Sequence, residues 1–166
     1  MNLDYFPQQK EHFDKARTVV WFGYYGNAKV VLPQVLPSLK ARGLNLLVVS
    51  NYVYEPDMDF GVEVRNVDYR PESAFIDIQG ADFAINPPSL LRNFKYKSNN
   101  KTLISWALGL PVASTAEDMD RFMKPEERNK EVVKRMKEIK EKWDIKQSVE
   151  QFKEILCDIQ KTKETK

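Results

Sequence analysis

The chain has little of what most catalytic sites are made from. Among its 166 residues there is one cysteine and one histidine. A lone cysteine, Cys157, excludes an internal disulfide framework and any multi-cysteine metal centre. It falls in a late amphipathic pattern and is expected to act as a small, at least half-buried hydrophobe. A lone histidine, His12, lies in a polar stretch before the first apolar run with no visible partner. It is expected to be a surface or packing residue, and neither a His-dependent triad nor a His-cluster metal site is expected. Net charge is also scarce, at a formal +2. That gives no general case for nucleic-acid binding. No apolar run approaches the roughly 18 residues that a membrane span needs. The amino terminus, Met1-Asn2-Leu3-Asp4-Tyr5, has neither the basic nor the apolar region of a secretory signal. A cytoplasmic setting is expected, and peripheral membrane association is compatible with the sequence.

What is present is a globular balance, with 42% hydrophobic residues. The length suits one domain with its own core. We expect a leader over 1–16, a single domain over 17–160 and a polar tail over 161–166. Thr18-Val19-Val20-Trp21-Phe22 is a continuous β-branched and aromatic run that stops at Gly23-Tyr24-Tyr25-Gly26-Asn27. Such a run, bounded by turn residues, fits a strand buried on both faces. From Ala28 to Ala41 the residues Val31, Val35, Leu36 and Leu39 recur at helical steps. Pro33 is tolerable in a first turn, Pro37 predicts a kink or an early end, and Gly43 is a stop.

A second apolar run, Leu44–Ser50, ends at Asn51. Val62–Val67 alternates with period two, as a strand does. Glu72–Gln79 reads as a short helix with Phe75, Ile76 and Ile78 inward, ended by Gly80. Ala81–Asn86 is another short strand. Leu90–Lys97 reads as a loop with some helical character. Thr102–Leu108 reads as a buried helix that stops at Gly109, where Ala107 and Gly109 allow it to approach the sheet closely. Pro111-Val112-Ala113 begins a last strand, and Ser114-Thr115 caps a helix from Ala116.

Two long charged helices follow, Pro125–Trp143 and Ser148–Ile159. Val132, Val133, Met136, Ile139 and Trp143 form one apolar stripe. Val149, Phe152, Ile155, Leu156 and Ile159 form another. Strands alternating with helices imply an α/β fold: a Rossmann-like, doubly wound parallel sheet with helices on both faces and two long C-terminal helices. Ligands of such sheets bind outside the carboxyl ends of the strands.

Two segments at those ends carry candidate chemistry. In Gly23–Lys29, a glycine directly after a buried strand lets backbone approach a ligand, and Asn27 is placed to cap the next helix. The glycine spacing fits neither a dinucleotide fingerprint nor a P-loop. In Lys95-Tyr96-Lys97-Ser98-Asn99-Asn100-Lys101, lysines and amide donors converge on a helix start, where the dipole and free N–H groups favour an anion. A plain turn and a solvated basic loop are the alternatives for these two segments.

Asn100-Lys101-Thr102-Leu103, followed by Ala107-Leu108-Gly109-Leu110-Pro111-Val112, resembles the donor-binding domain of retaining GT-B-fold glycosyltransferases. Ala81–Pro87 is similar to the strand preceding that signature, and Trp21-Phe22-Gly23 to its opening strand and glycine loop. The order and spacing match over roughly 17–160. The resemblance implies a nucleotide-sugar-binding domain that works in sugar transfer, as in polysaccharide biosynthesis, only together with an acceptor-binding domain or subunit. Gly23, Tyr24, Gly26, Asn27, Lys97, Ser98, Asn99, Asn100 and Lys101 would face the donor diphosphate and sugar. Loops after Ser50 and Val67 would contact the base, with Asn51 and Asn86 on the nucleoside side.

No cofactor or metal is implied, because cationic donors suffice where leaving-group charge develops on a diphosphate. The chain departs from the pattern at Ile104 and Tyr96, where the family carries two glutamates. Only a short leader precedes the first strand, so an acceptor domain is expected upstream of this segment or in another chain. The competing expectation is a non-catalytic α/β module that keeps the scaffold and binds a partner.

Overall fold

A computed structural model of the chain describes residues 1–87 and 99–164, with side chains as far as Leu156. The expected loop at Leu90–Lys97 and the side chain of Cys157 lie outside the described residues. Five strands are formed, β1 (Thr18–Gly23), β2 (Asn45–Ser50), β3 (Val64–Asp68), β4 (Phe83–Ile85) and β5 (Val112–Ala113). They make one sheet in the order β3-β2-β1-β4-β5, with every pairing parallel. The architecture is therefore α/β and Rossmann-like.

The middle residues of β1 and β2 are all apolar because both faces of these strands are covered. On β1, Val19 and Trp21 join one core cluster while Val20 and Phe22 join the other. On β2, Leu46 and Val48 alternate in the same way with Leu47 and Val49. This period-two division needs helices on both sides. The first face is covered by α1 (Tyr25–Val31), α2 (Leu36–Ala41) and α5 (Ala116–Phe122), through Ala28, Leu36, Leu39, Met119 and Phe122. The second is covered by α3 (Ala74–Gln79) and α4 (Asn100–Ala107), through Ile78, Ile104 and the following Leu108. The last two helices are α6 (Pro125–Lys142) and α7 (Ile145–Glu164).

Several expectations are corrected by the packing. The helix expected over 28–41 is two helices separated by a 3-10 turn, Leu32–Gln34, which contains Pro33. A proline inside a helix removes a hydrogen bond and meets the carbonyl four residues back, so the break falls there. Pro37 instead opens α2, in the first turn where no N–H is required. Ile76 faces outward and is 68% exposed, because Ala74 and Ile78 hold the buried side of α3. A residue two places from each of them lies across the helix. Phe75 does turn inward and stacks on Phe6, with centroids 4.7 Å apart.

The leader is a strap over the α4–β5 turn. Lys10 N–H donates to Leu108 O (3.1 Å), and the Lys10 amine donates to Ala81 O (2.6 Å) and Gln79 O (3.2 Å). His12 is 3% exposed, with Nε2 2.9 Å from Gly109 O. The Asn129 amide clasps the His12 backbone, accepting from its N–H (3.0 Å) and donating to its carbonyl (2.8 Å). Arg128, buried, donates to Phe122 O (2.6 Å), Met123 O (3.2 Å) and Asp14 O. This gives Gly109 a different role from the one expected. Its φ is +80°, and a β-carbon there would stand 2.6 Å from Lys10 N. The space is filled by the leader's backbone, not by an approach of α4 to the sheet.

The cap expected at Ser114-Thr115 is made by Thr115, which forms a reciprocal capping box with Asp118 at the start of α5. The two C-terminal stripes have different fates. On α6, Ile139 is fully buried and Val132 nearly so, while Val133 faces solvent. On α7, Val149, Phe152, Ile155 and Leu156 are all exposed.

Candidate functional site at the carboxyl edge of the sheet

In the order β3-β2-β1-β4-β5, the chain leaves β1 toward β2 on one side and leaves β4 toward β5 on the other. The reversal falls between β1 and β4, which is where open α/β sheets leave a crevice. Gly23 ends β1 and α4 begins beside the end of β4, so the two candidate segments meet at this point.

Gly23 and Lys101 are in direct contact. Gly23 has φ +143°, and a β-carbon there would lie 2.6 Å from Lys101 Nζ and 2.7 Å from its Cε. The lysine therefore runs across a surface that only glycine leaves open. Its amine stands 4.1 Å from the centroid of the Trp21 ring. Trp21 is 1% exposed and fixed in the core, so the ring is a rigid platform for the cation. Asn99 and Asn100 are exposed at the start of α4. Asn99 is the N-cap by backbone, with its carbonyl accepting from Leu103 N–H (3.1 Å), but its side chain makes no capping bond. Lys97 and Ser98 lie outside the described residues.

The loop after β1 differs from the sequence expectation. The N-cap of α1 is Tyr24, and Asn27 lies inside the first turn instead of capping it. The first helical N–H, that of Tyr25, is taken by Asn51 Oδ1 at 3.0 Å. Asn51 thus ties the end of β2 to the start of α1, and its carbonyl oxygen is committed to structure. The Ser50 hydroxyl donates to Tyr52 O (2.5 Å) and fixes the same turn. Tyr25 and Tyr52 meet edge to face at 5.9 Å, and the Lys29 amine lies 5.2 Å from the Tyr25 ring. Its pKa is raised, chiefly by a hydrogen bond with the Tyr25 hydroxyl. At Gly26, a β-carbon would come 2.9 Å from the Tyr24 ring, so that ring lies along the glycine.

Asn86 is at the end of β4, where its amide donates to Thr102 Oγ1 on α4 (3.4 Å). Asn51 and Asn86 therefore follow strands on opposite sides of β1, which lie two strand spacings, roughly 10 Å, apart. Each lies in a different corner of the strand ends. Asn86 shares the α4 corner with Lys101, and Asn51 shares the β2 corner with the tyrosines. Ile104, where the family resemblance places a glutamate, packs partly buried against the cluster holding Val20 and Phe22.

Trp21 and Tyr52 were not among the candidates. Trp21 reads in sequence as an ordinary core residue, and Tyr52 as one aromatic in a loop. Among the described residues, no group of three or more His, Cys, Asp or Glu side chains converges on a point. None of the described helices is long and apolar enough to cross a membrane. What the site offers is a cation, amide donors and aromatic faces, a set suited to holding an anion attached to a flat ring. No known protein-family model and no curated protein sequence matches the chain.

Proposed function

We propose that this chain binds a nucleotide-sugar donor and serves as the donor half of a GT-B-type glycosyltransferase, with the acceptor site supplied by another domain or subunit. The observation that carries this reading is Lys101 at the start of α4, lying across Gly23 where the sheet order reverses. A diphosphate in that crevice meets the lysine, the start of a helix and a glycine backbone together. The same groups stabilise a departing diphosphate as its charge develops. The likeness of Asn100–Leu103 and Ala107–Val112 to the donor-domain signature supports the same assignment. Calorimetry with UDP, GDP and their glucose conjugates tests it. Binding of at least one is expected, and no heat from any at millimolar concentration would contradict it.

A second reading has its own observation. Ile104 gives core packing where a glutamate would hold ribose, and the apolar side chains of α7 stand open to solvent. Both suit a scaffold kept for binding a partner protein. A chain that binds no nucleotide but forms a stoichiometric complex through α7 would favour this reading over donor binding.

A further inference from the structure

We propose that Tyr24 and Tyr52 form an aromatic edge that stacks on a ring of the ligand whose anionic part reaches Lys101. The inference rests on the donor-binding reading. It assigns recognition of the ring to stacking on these tyrosines, beside the Asn51 and Asn86 expected on the nucleoside side.

Tyr24 is 66% exposed and Tyr52 is 68% exposed. A single exposed aromatic needs no explanation. These two, however, project from loops at the ends of neighbouring strands, since Gly23 pairs in register with Ser50. The loops are fastened together by the Tyr25–Asn51 hydrogen bond and the Tyr25–Tyr52 ring contact. The Ser50 hydroxyl holds the Tyr52 carbonyl, which sets the turn that presents the ring. Tyr24 lies along Gly26, where any β-carbon would displace it. Both rings are thus positioned before a ligand arrives, which lowers the ordering cost of stacking.

Lys101 borders the same edge from the β4 side of Gly23. An anion at Lys101 and a ring on the tyrosines describe one ligand lying across the end of β1. Either ring suits such an edge: a nucleobase stacks its π-face on an aromatic side chain, and a pyranose lays the apolar C–H groups of one face against it.

The test is calorimetry on the full chain with inorganic pyrophosphate, UDP, GDP and UDP-glucose. It compares wild type with Tyr24→Leu, Tyr52→Leu and the two Phe variants, with unchanged melting confirming the fold. At least one Leu variant is expected to bind the ring-bearing ligand about tenfold more weakly, as stacking interactions of this kind imply. Its Phe counterpart retains affinity, and pyrophosphate binding stays within about twofold. A loss already present with UDP or GDP assigns the base, and a loss confined to UDP-glucose assigns the sugar. Either supports the inference. Unchanged affinities in both Leu variants, or an equal loss for pyrophosphate, would overturn it while leaving the donor-binding reading intact. Failure of wild type to bind pyrophosphate or any nucleotide would remove both.

Discussion

Lys101 lies across Gly23, with its amine 2.6 Å from where a β-carbon would be and 4.1 Å from the Trp21 ring centroid. The residues come from α4 and β1, and the contact closes the point where the sheet reverses its order. One side of the lysine is constrained by backbone and the other by an indole.

Gly23→Ala should therefore do two kinds of damage. The φ of +143° strains any L side chain, and the new methyl meets the lysine. Gly43→Ala is the control, because its φ of +63° also disfavours alanine but nothing lies within 4 Å. Chemical denaturation should show a loss of about 1 kcal/mol for Gly43→Ala and a larger loss for Gly23→Ala. Only Gly23→Ala should also change the emission of the chain through Trp21. Equal losses and equal spectra would mean that Lys101 is free to move aside.

His12 makes stability depend on pH. Burial is the main cause that lowers its pKa from 6.5 to about 4, and the nearby Arg128 and Lys10 cations lower it further, while its hydrogen bond to Gly109 and the Asp82 charge act the other way. The folded pKa is below the unfolded value, so the unfolded chain binds the extra proton first. Stability from this group is complete above about pH 6.5 and declines as pH falls toward 4. The decline should be about 3 kcal/mol across that window. Urea denaturation at pH 7, 5.5 and 4 should show it, and His12→Gln should flatten that component. A wild-type slope matching that of the glutamine variant would show that His12 is not buried as a neutral ring.

Tyr54 is nearly fully buried, and its hydroxyl has no hydrogen-bond partner among the described residues. Burial is the chief cause that pushes its pKa up to about 12. Tyr54→Phe removes a desolvated hydroxyl and keeps the ring. It should leave stability unchanged or raise it by up to about 1 kcal/mol. A loss of more than about 1 kcal/mol in thermal denaturation would reveal a hydrogen bond to that oxygen.

The two C-terminal stripes should respond differently to truncation. Ile139→Ala, at a fully buried site, should cost about 2–5 kcal/mol. Phe152→Ser, at a side chain 60% exposed, should change stability of the isolated chain by about 0.5 kcal/mol or less. A large loss at Phe152 would show that α7 folds back onto the chain in solution.

The sheet was legible because its central strands are buried on both faces and so read as unbroken apolar runs. The caps at Thr115 and Gly43 were legible because each uses a residue type with a local reason to be there. The division of the first helix was only half visible: both prolines were noticed, but which one breaks the helix depends on where the first turn starts, and that is set by Asn51 from another loop. Ile76 was misplaced for a similar reason, since a six-residue helix gives too few turns to fix its buried side. The strap through Lys10, His12 and Arg128 left no periodic signal, because polar residues are buried there by bonding to backbone carbonyls. At the candidate site the segments could be named from sequence. The contact of Lys101 with Gly23 and Trp21, and the separation of Asn51 from Asn86, arise from strand order and could not.

Lys101 is proposed to hold the diphosphate of a nucleotide donor. This role is tested most directly by calorimetric titration of wild type and Lys101→Ala with UDP, GDP, uridine and guanosine. Loss of the amine should weaken binding of the diphosphate about tenfold or more, as for a charge-assisted contact, while nucleoside binding changes by less than about twofold. Equal losses for both ligands, or no loss for either, would contradict it.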